Sequence, residues 1–176
     1  NKPLLLFFGA FLFAGSGLGM WLGLFFIYTD AYLGMGVFFS KIQLISLVVS
    51  LLGALVWLEI ANHLGKRCTW LLAMLLGIAS FFYTSFLGPE NANYWTLLIL
   101  GIINSLCFVC VGSLPQSMLS DIIDYSAWKF RSYLGSTYFA LFLFIYKAGL
   151  GAGGALGFAI AGWYGFDPTL TSQTES

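Results

Sequence analysis

Charge is what this sequence has least of. Seven Lys or Arg and seven Asp or Glu are spread over 176 residues, so 8% of the chain is charged, against about 25% in a soluble domain. With 60% apolar residues, so few charges cannot cover the core of a water-soluble globule. The same apolar content excludes disorder. The net charge is zero, which leaves no basic surface for nucleic acid. Cys68, Cys107 and Cys110 are the only cysteines, too few and too apolar in setting for a disulfide scaffold. A cleavable leader is lacking too. The first charge-free run, 3–29, is longer than a signal h-region and has no small-residue cleavage site. The remaining class is a chain whose solvent is lipid, in keeping with a mean hydropathy of +0.91.

What is present is a set of long charge-free windows: 3–29, 42–58, 68–89, 91–120 and 132–166, the last interrupted only by Lys147. A helix needs about 20 apolar residues to cross the hydrocarbon core. Five spans are expected, at Leu4–Tyr28, Ile42–Ile60, Cys68–Leu87, Tyr94–Ser117 and Tyr133–Trp163. The runs are too long, and alternate too little, for barrel strands. Short-loop basic residues set orientation. Lys2, Lys66, Arg67, Lys129 and Arg131 fall on one side and only Lys41 on the other, which puts the N-terminus in the cytoplasm. The tail Asp167–Ser176 is too polar to span. An odd number of helices, and a chain opening on Asn rather than Met, read as a fragment.

The expected helices carry polar faces that an anchor would not need. At about 100° per residue, Gln43, Ser46, Ser50, Gly53 and Trp57 share one face of the second span. Gly9, Ser16, Gly19, Gly23 and then Asp30 line the first. Gly101, Asn104, Ser105, Gly112 and Gln116 occupy one side of the fourth, where Pro115 is expected to distort the register. Small residues at such positions serve helix–helix packing. The buried amides Gln43, Asn104 and Gln116 need partners and are candidates, with Ser46, Ser50 and Trp57, to line a water-filled path.

Lys147 is the most informative residue. It lies deep in the fifth span, too far from either surface to snorkel easily. A central Lys costs about 2.5–3.5 kcal/mol on insertion scales, and intramembrane ionisable groups mark functional sites. It calls for an acid on another helix, and none of the five spans holds a well-placed one. Gly149–Gly154 matches G-x-G-x-x-G literally, but no strand precedes it and the segment is intramembrane. Cys107 and Cys110 form C-x-x-C inside an apolar helix, which fits packing better than metal or redox chemistry. His63 is a lone loop histidine. With no nucleophile–base pair, metal cluster or phosphate loop, neither an enzyme nor a cofactor is expected.

Two segments and a helix resemble a known family. Trp57-Leu-Glu-Ile-Ala-Asn-His-Leu-Gly-Lys-Arg-Cys-Thr-Trp70 resembles the W-x-x-x-A-x-x-x-G-K-R-x-x-W turn of the glycoside–pentoside–hexuronide:cation symporters. These form the melibiose-carrier branch of the major facilitator superfamily. Leu114-Pro-Gln-Ser-Met-Leu-Ser-Asp-Ile-Ile-Asp-Tyr125 is similar to that family's P-x-S-M-x-x-D-x-x-D-Y loop. Tyr138-Phe-Ala-Leu141, Lys147 and the glycines up to Gly157 resemble its helix eleven. The chain departs from the pattern in Lys129-Phe-Arg-Ser-Tyr-Leu-Gly135, which lacks an acid, and in having Leu55 and Val56 where a Pro is usual.

The resemblance implies an all-α integral membrane protein whose five spans are helices seven to eleven of a twelve-helix fold. The N-terminal half and the last helix would then be missing from this chain. It implies cation-coupled symport of a sugar or glycoside by alternating access, with H⁺ or Na⁺ as the coupling ion. Lys147 would be the lysine beside the cation and substrate site, its acidic partners lying in the absent half. Lys66, Arg67, Asp121, Asp124, Lys129 and Arg131 would be cytoplasmic gate charges that pair and part as the two halves rock. The partners implied are a small solute, a cation, membrane lipid and the missing half, with the plasma or inner membrane as the location. A lipid or lysolipid transporter of the same fold, and an assembly subunit whose polar stripes only pack, are the alternatives.

Overall fold

The structure, a computed structural model, describes residues 2–131 and 134–165. Helix α1 (Lys2–Ile27) passes into a π-helical turn, Tyr28–Tyr32, and is followed by α2 (Gly36–Leu64), α3 (Lys66–Thr84), α4 (Tyr94–Phe130) and α5 (Gly135–Trp163). Among the described residues there is no strand. Five helices among the described residues are long and apolar enough to cross a membrane. In hydrocarbon every backbone N–H and C=O must be satisfied within its own segment, so apolar runs of this length become helices. The fold is that of an all-α integral membrane protein. Tyr133, expected to open the fifth span, and the tail Asp167–Ser176 lie outside the described residues.

The helices do not stop where the charges begin. Helix α2 starts ahead of Lys41 and continues through Glu59. Helix α4 has 37 residues, about 55 Å at 1.5 Å per residue, well beyond a hydrocarbon core of about 30 Å. The segment 118–132, expected as a loop, is therefore helical as far as Phe130. Charges mark where lipid gives way to headgroups and water; they do not unwind a helix. Pro115 does not break α4 either, although its ring removes one backbone donor. It is fully buried. Ser113 Oγ donates to the Val109 carbonyl at 2.7 Å and Gln116 Nε2 to the Gly112 carbonyl at 3.4 Å, local bonds within the helix on either side of the proline.

The expected 61–67 loop shrinks to one residue, Gly65. Its φ of 81° is in the left-handed region, open to glycine at no steric cost. The Gly65 N–H closes α2 on the Ala61 carbonyl at 3.0 Å, and its own carbonyl accepts from Thr69 Oγ1 at 3.0 Å. Lys66 and Arg67 thus occupy the first turn of α3 rather than a loop.

The chain forms two compact units, Asn1–Tyr32 with Leu119–Ser176, and Leu33–Met118. In the first, α1 and α5 run parallel. Phe11 stacks on Phe142 with ring centroids 4.5 Å apart. Beyond the aromatics the seam turns to glycine: Gly15, Gly19 and Gly23 on α1, Gly149, Gly153 and Gly157 on α5. A Cβ added at Gly19 would run into the Leu150 carbonyl, and one at Gly153 into the Ser16 carbonyl. The two backbones touch, a contact that small residues allow in membranes. Near the start of α5, Tyr138 Oη and Ser126 Oγ of α4 are hydrogen-bonded at 3.1 Å.

In the second unit α2 and α4 run parallel, with α3 antiparallel to both. Gly53 faces Leu106, and Gly101 faces Ile42 and Ser46. Gly77 of α3 lies beside Cys107, and Phe81 packs on Phe108. Trp57, Ala61, Ala73, Cys110 and Leu114 form an apolar cluster joining all three helices.

Candidate functional site

Lys147 stands near the middle of the 29-residue α5. The face of α5 turned to α1 carries Phe142, Tyr146, Gly149 and Gly153. One residue beyond Tyr146 is a rotation of about 100°, which takes Lys147 off that seam. It is exposed, and among the described residues it has no hydrogen bond, ion pair or ring contact. Gly151, four residues on, has nothing within 4 Å of where a Cβ would be. The first unit thus turns a bare ammonium and a glycine-smooth surface away from its own seam.

The α2 stripe has a different setting. Ser46 and Ser50 are buried, and Gln43 is half-buried. Ser50 Oγ donates back to the Leu47 carbonyl at 2.8 Å. Trp57 donates its indole N–H to the Leu106 carbonyl at 2.9 Å, so its polar tip ties α2 to the backbone of α4. Along α4 the expected polar side divides. Asn104 is 2% exposed, whereas Gln116 is exposed and bonds within its own helix. Their separation of twelve positions carries a straight helix through about 120°. The structure therefore brings Ser46, Ser50, Trp57 and Asn104 into the interior of the second unit and leaves Gln116 at its surface.

The six gate candidates fall in both units. Lys66 and Arg67, with the exposed Glu59–His63 pair at 2.9 Å, mark the α2–α3 junction. Asp121 and Asp124 sit on the last turns of α4, both exposed. Lys129 Nζ lies 5.7 Å from the centroids of the Tyr125 and Phe130 rings, within cation–π range. Arg131 ends α4 with a φ of 51°. Tyr28 and Tyr32 stack on each other in the π turn, with ring centroids 5.5 Å apart.

The glycine seam was missed as a seam, although its signal is in the sequence. Positions 15, 19 and 23 repeat every four residues, and so do 149, 153 and 157. Two matching four-residue glycine repeats are the pattern of close helix pairs. Polarity alone groups Gly19 and Gly23 with Ser16 and gives Gly15 no weight. Cys107 and Cys110 are free and buried, Cys110 within the apolar cluster.

Membrane-length helices, packed within each unit through small residues and carrying an unsheathed mid-helix lysine, define a polytopic membrane protein. A sequence model of the MFS/sugar transport protein family matches residues 1–176. The chain belongs to that family, in agreement with the resemblance to the melibiose-carrier branch. No curated protein and no solved structure matches it.

Proposed function

We propose that this chain is the C-terminal half of a secondary transporter that couples H⁺ or Na⁺ to the uptake of a sugar or glycoside by alternating access. The observation that carries the reading is Lys147, exposed in mid-helix with no partner among the described residues of a sugar-transport family member. Left in lipid, such a lysine costs about 2.5–3.5 kcal/mol. Facing an acidic, water-filled cavity, it is instead part of the site. On this reading the five helices are the seventh to eleventh of twelve, and the N-terminal half supplies the carboxylates that hold the cation. The chain then starts on the cytoplasmic side of a plasma or inner membrane. Lys66, Arg67, Asp121, Asp124, Lys129 and Arg131 lie at the cytoplasmic ends, where ion pairs with the other half can form and break.

The test is reconstitution of the full chain in proteoliposomes with an imposed Na⁺ or H⁺ gradient and a panel of labelled glycosides. Accumulation of one glycoside above its outside concentration, abolished by dissipating the gradient, is the expected result. Equilibration without accumulation under both gradients would refute coupling.

A further inference from the structure

Three polar side chains in the second unit are buried and unpaired at one level of the helices. Asn104 is 2% exposed, Ser46 0% and Ser80 6%. Both amide atoms of Asn104 and the hydroxyls of the two serines have no hydrogen-bond partner among the described residues. They come from three helices but converge on one turn of α4. Ser46 Oγ of α2 lies 2.9 Å from where a Cβ of Gly101 would be. Ser80 of α3 lines a groove with Leu100 and Ile103 of α4. Asn104 follows Gly101 by three residues and Leu100 by four, so it stands on the same face.

We propose that Asn104, Ser46 and Ser80 hold internal water between α2, α3 and α4. An amide left without partners in an apolar setting is costly, and native interiors seldom leave such groups unmet. The choice of occupant follows from the donor set. Asn104 offers two N–H donors as well as an acceptor, and each serine offers both. Water, which donates and accepts, satisfies all of them; a buried water makes about three hydrogen bonds of this kind. A cation would meet the oxygens but face the amide N–H groups. It would also be unneutralised, since 42–58, 68–89 and 91–120 contain no carboxylate. All three residues belong to this chain's own second unit, and the inference does not depend on coupled transport.

Two buried thiols provide the test. Cys107 follows Asn104 by one turn and is 3% exposed, whereas Cys110, 0% exposed, lies in the apolar cluster. Neither is reached by bulk solvent. X-ray radiolysis turns a bound water into a hydroxyl radical that oxidises the side chains beside it. In the full chain in lipid nanodiscs, Cys107 is expected to oxidise several-fold faster than Cys110. Asn104→Leu should bring it down to the rate of Cys110, and Ser80→Ala part of the way. Equal rates in the wild type would overturn the proposal without any variant, and so would undiminished labelling in Asn104→Leu. Protection of Cys107 by Na⁺ that is lost in Asn104→Leu would make the occupant a cation and overturn it as well.

Discussion

Replacing Gly19 by Ala adds one methyl group where α1 and α5 meet backbone to backbone. The new Cβ would lie 2.9 Å from both Cα and the carbonyl carbon of Leu150, and closer still to its oxygen. These atoms belong to a helix backbone and cannot rotate away, so the helices must separate. Overpacking of this kind costs about 1–3 kcal/mol, and a backbone obstacle belongs at the upper end. Alanine recovers about 1 kcal/mol of helix propensity, leaving a net loss of about 2 kcal/mol. Gly17 is the control. It is exposed, with nothing within 4 Å of its would-be Cβ, so Gly17→Ala keeps only the propensity gain, about 1 kcal/mol. The two variants, two residues apart, should move in opposite directions and differ by about 3 kcal/mol. Equilibrium unfolding of the full chain in mixed SDS micelles, followed by tryptophan fluorescence, reads the difference. Coincident curves would mean that α1 and α5 do not touch through their glycines.

The other stability predictions concern the second unit. Trp57→Phe keeps most of the ring but removes the donor to the Leu106 carbonyl. Measured by the same SDS titration, it should cost about 0.5–1.5 kcal/mol, since the Leu106 carbonyl keeps its place in the α4 hydrogen-bond ladder. Gly65→Ala meets nothing within 4 Å but must adopt a φ of 81° with a ψ of 152°, a combination essentially reserved for glycine and about 1–3 kcal/mol less favourable for a residue with a Cβ. Gly65→Asn should lose about as much, because the positive-φ tolerance of Asn is confined to ψ of about +30–60°, far from the 152° here; a much smaller loss for Asn would mean that the junction relaxes to another backbone conformation.

How much of this was legible beforehand depended on which physical quantity the sequence encodes. Absence of charge encodes contact with lipid, and each charge-free window contains the body of one helix. It does not encode helix ends, because a helix passes through headgroups as readily as through acyl chains. That is why α4 outruns its window, and why Lys66 and Arg67 belong to a helix turn. Polarity along a helix face was a poorer guide to what the face meets. Ser46 and Ser50 read as polar lining and lie between helices; Gly15 read as nothing and lies on the tightest seam. Lys147 was legible because one ammonium in a long apolar run leaves few explanations. The convergence of Asn104, Ser46 and Ser80 was not, since pairing across three helices depends on rotations that sequence spacing leaves open.

The central claim is that Lys147 belongs to the coupling site and does not serve to hold the bundle together. The direct measurement is cation-driven glycoside accumulation per molecule of full-length Lys147→Ala in the membrane, with abundance determined in the same cells. The account predicts near-normal abundance and accumulation lost. Normal accumulation per molecule, whether or not abundance falls, would contradict it.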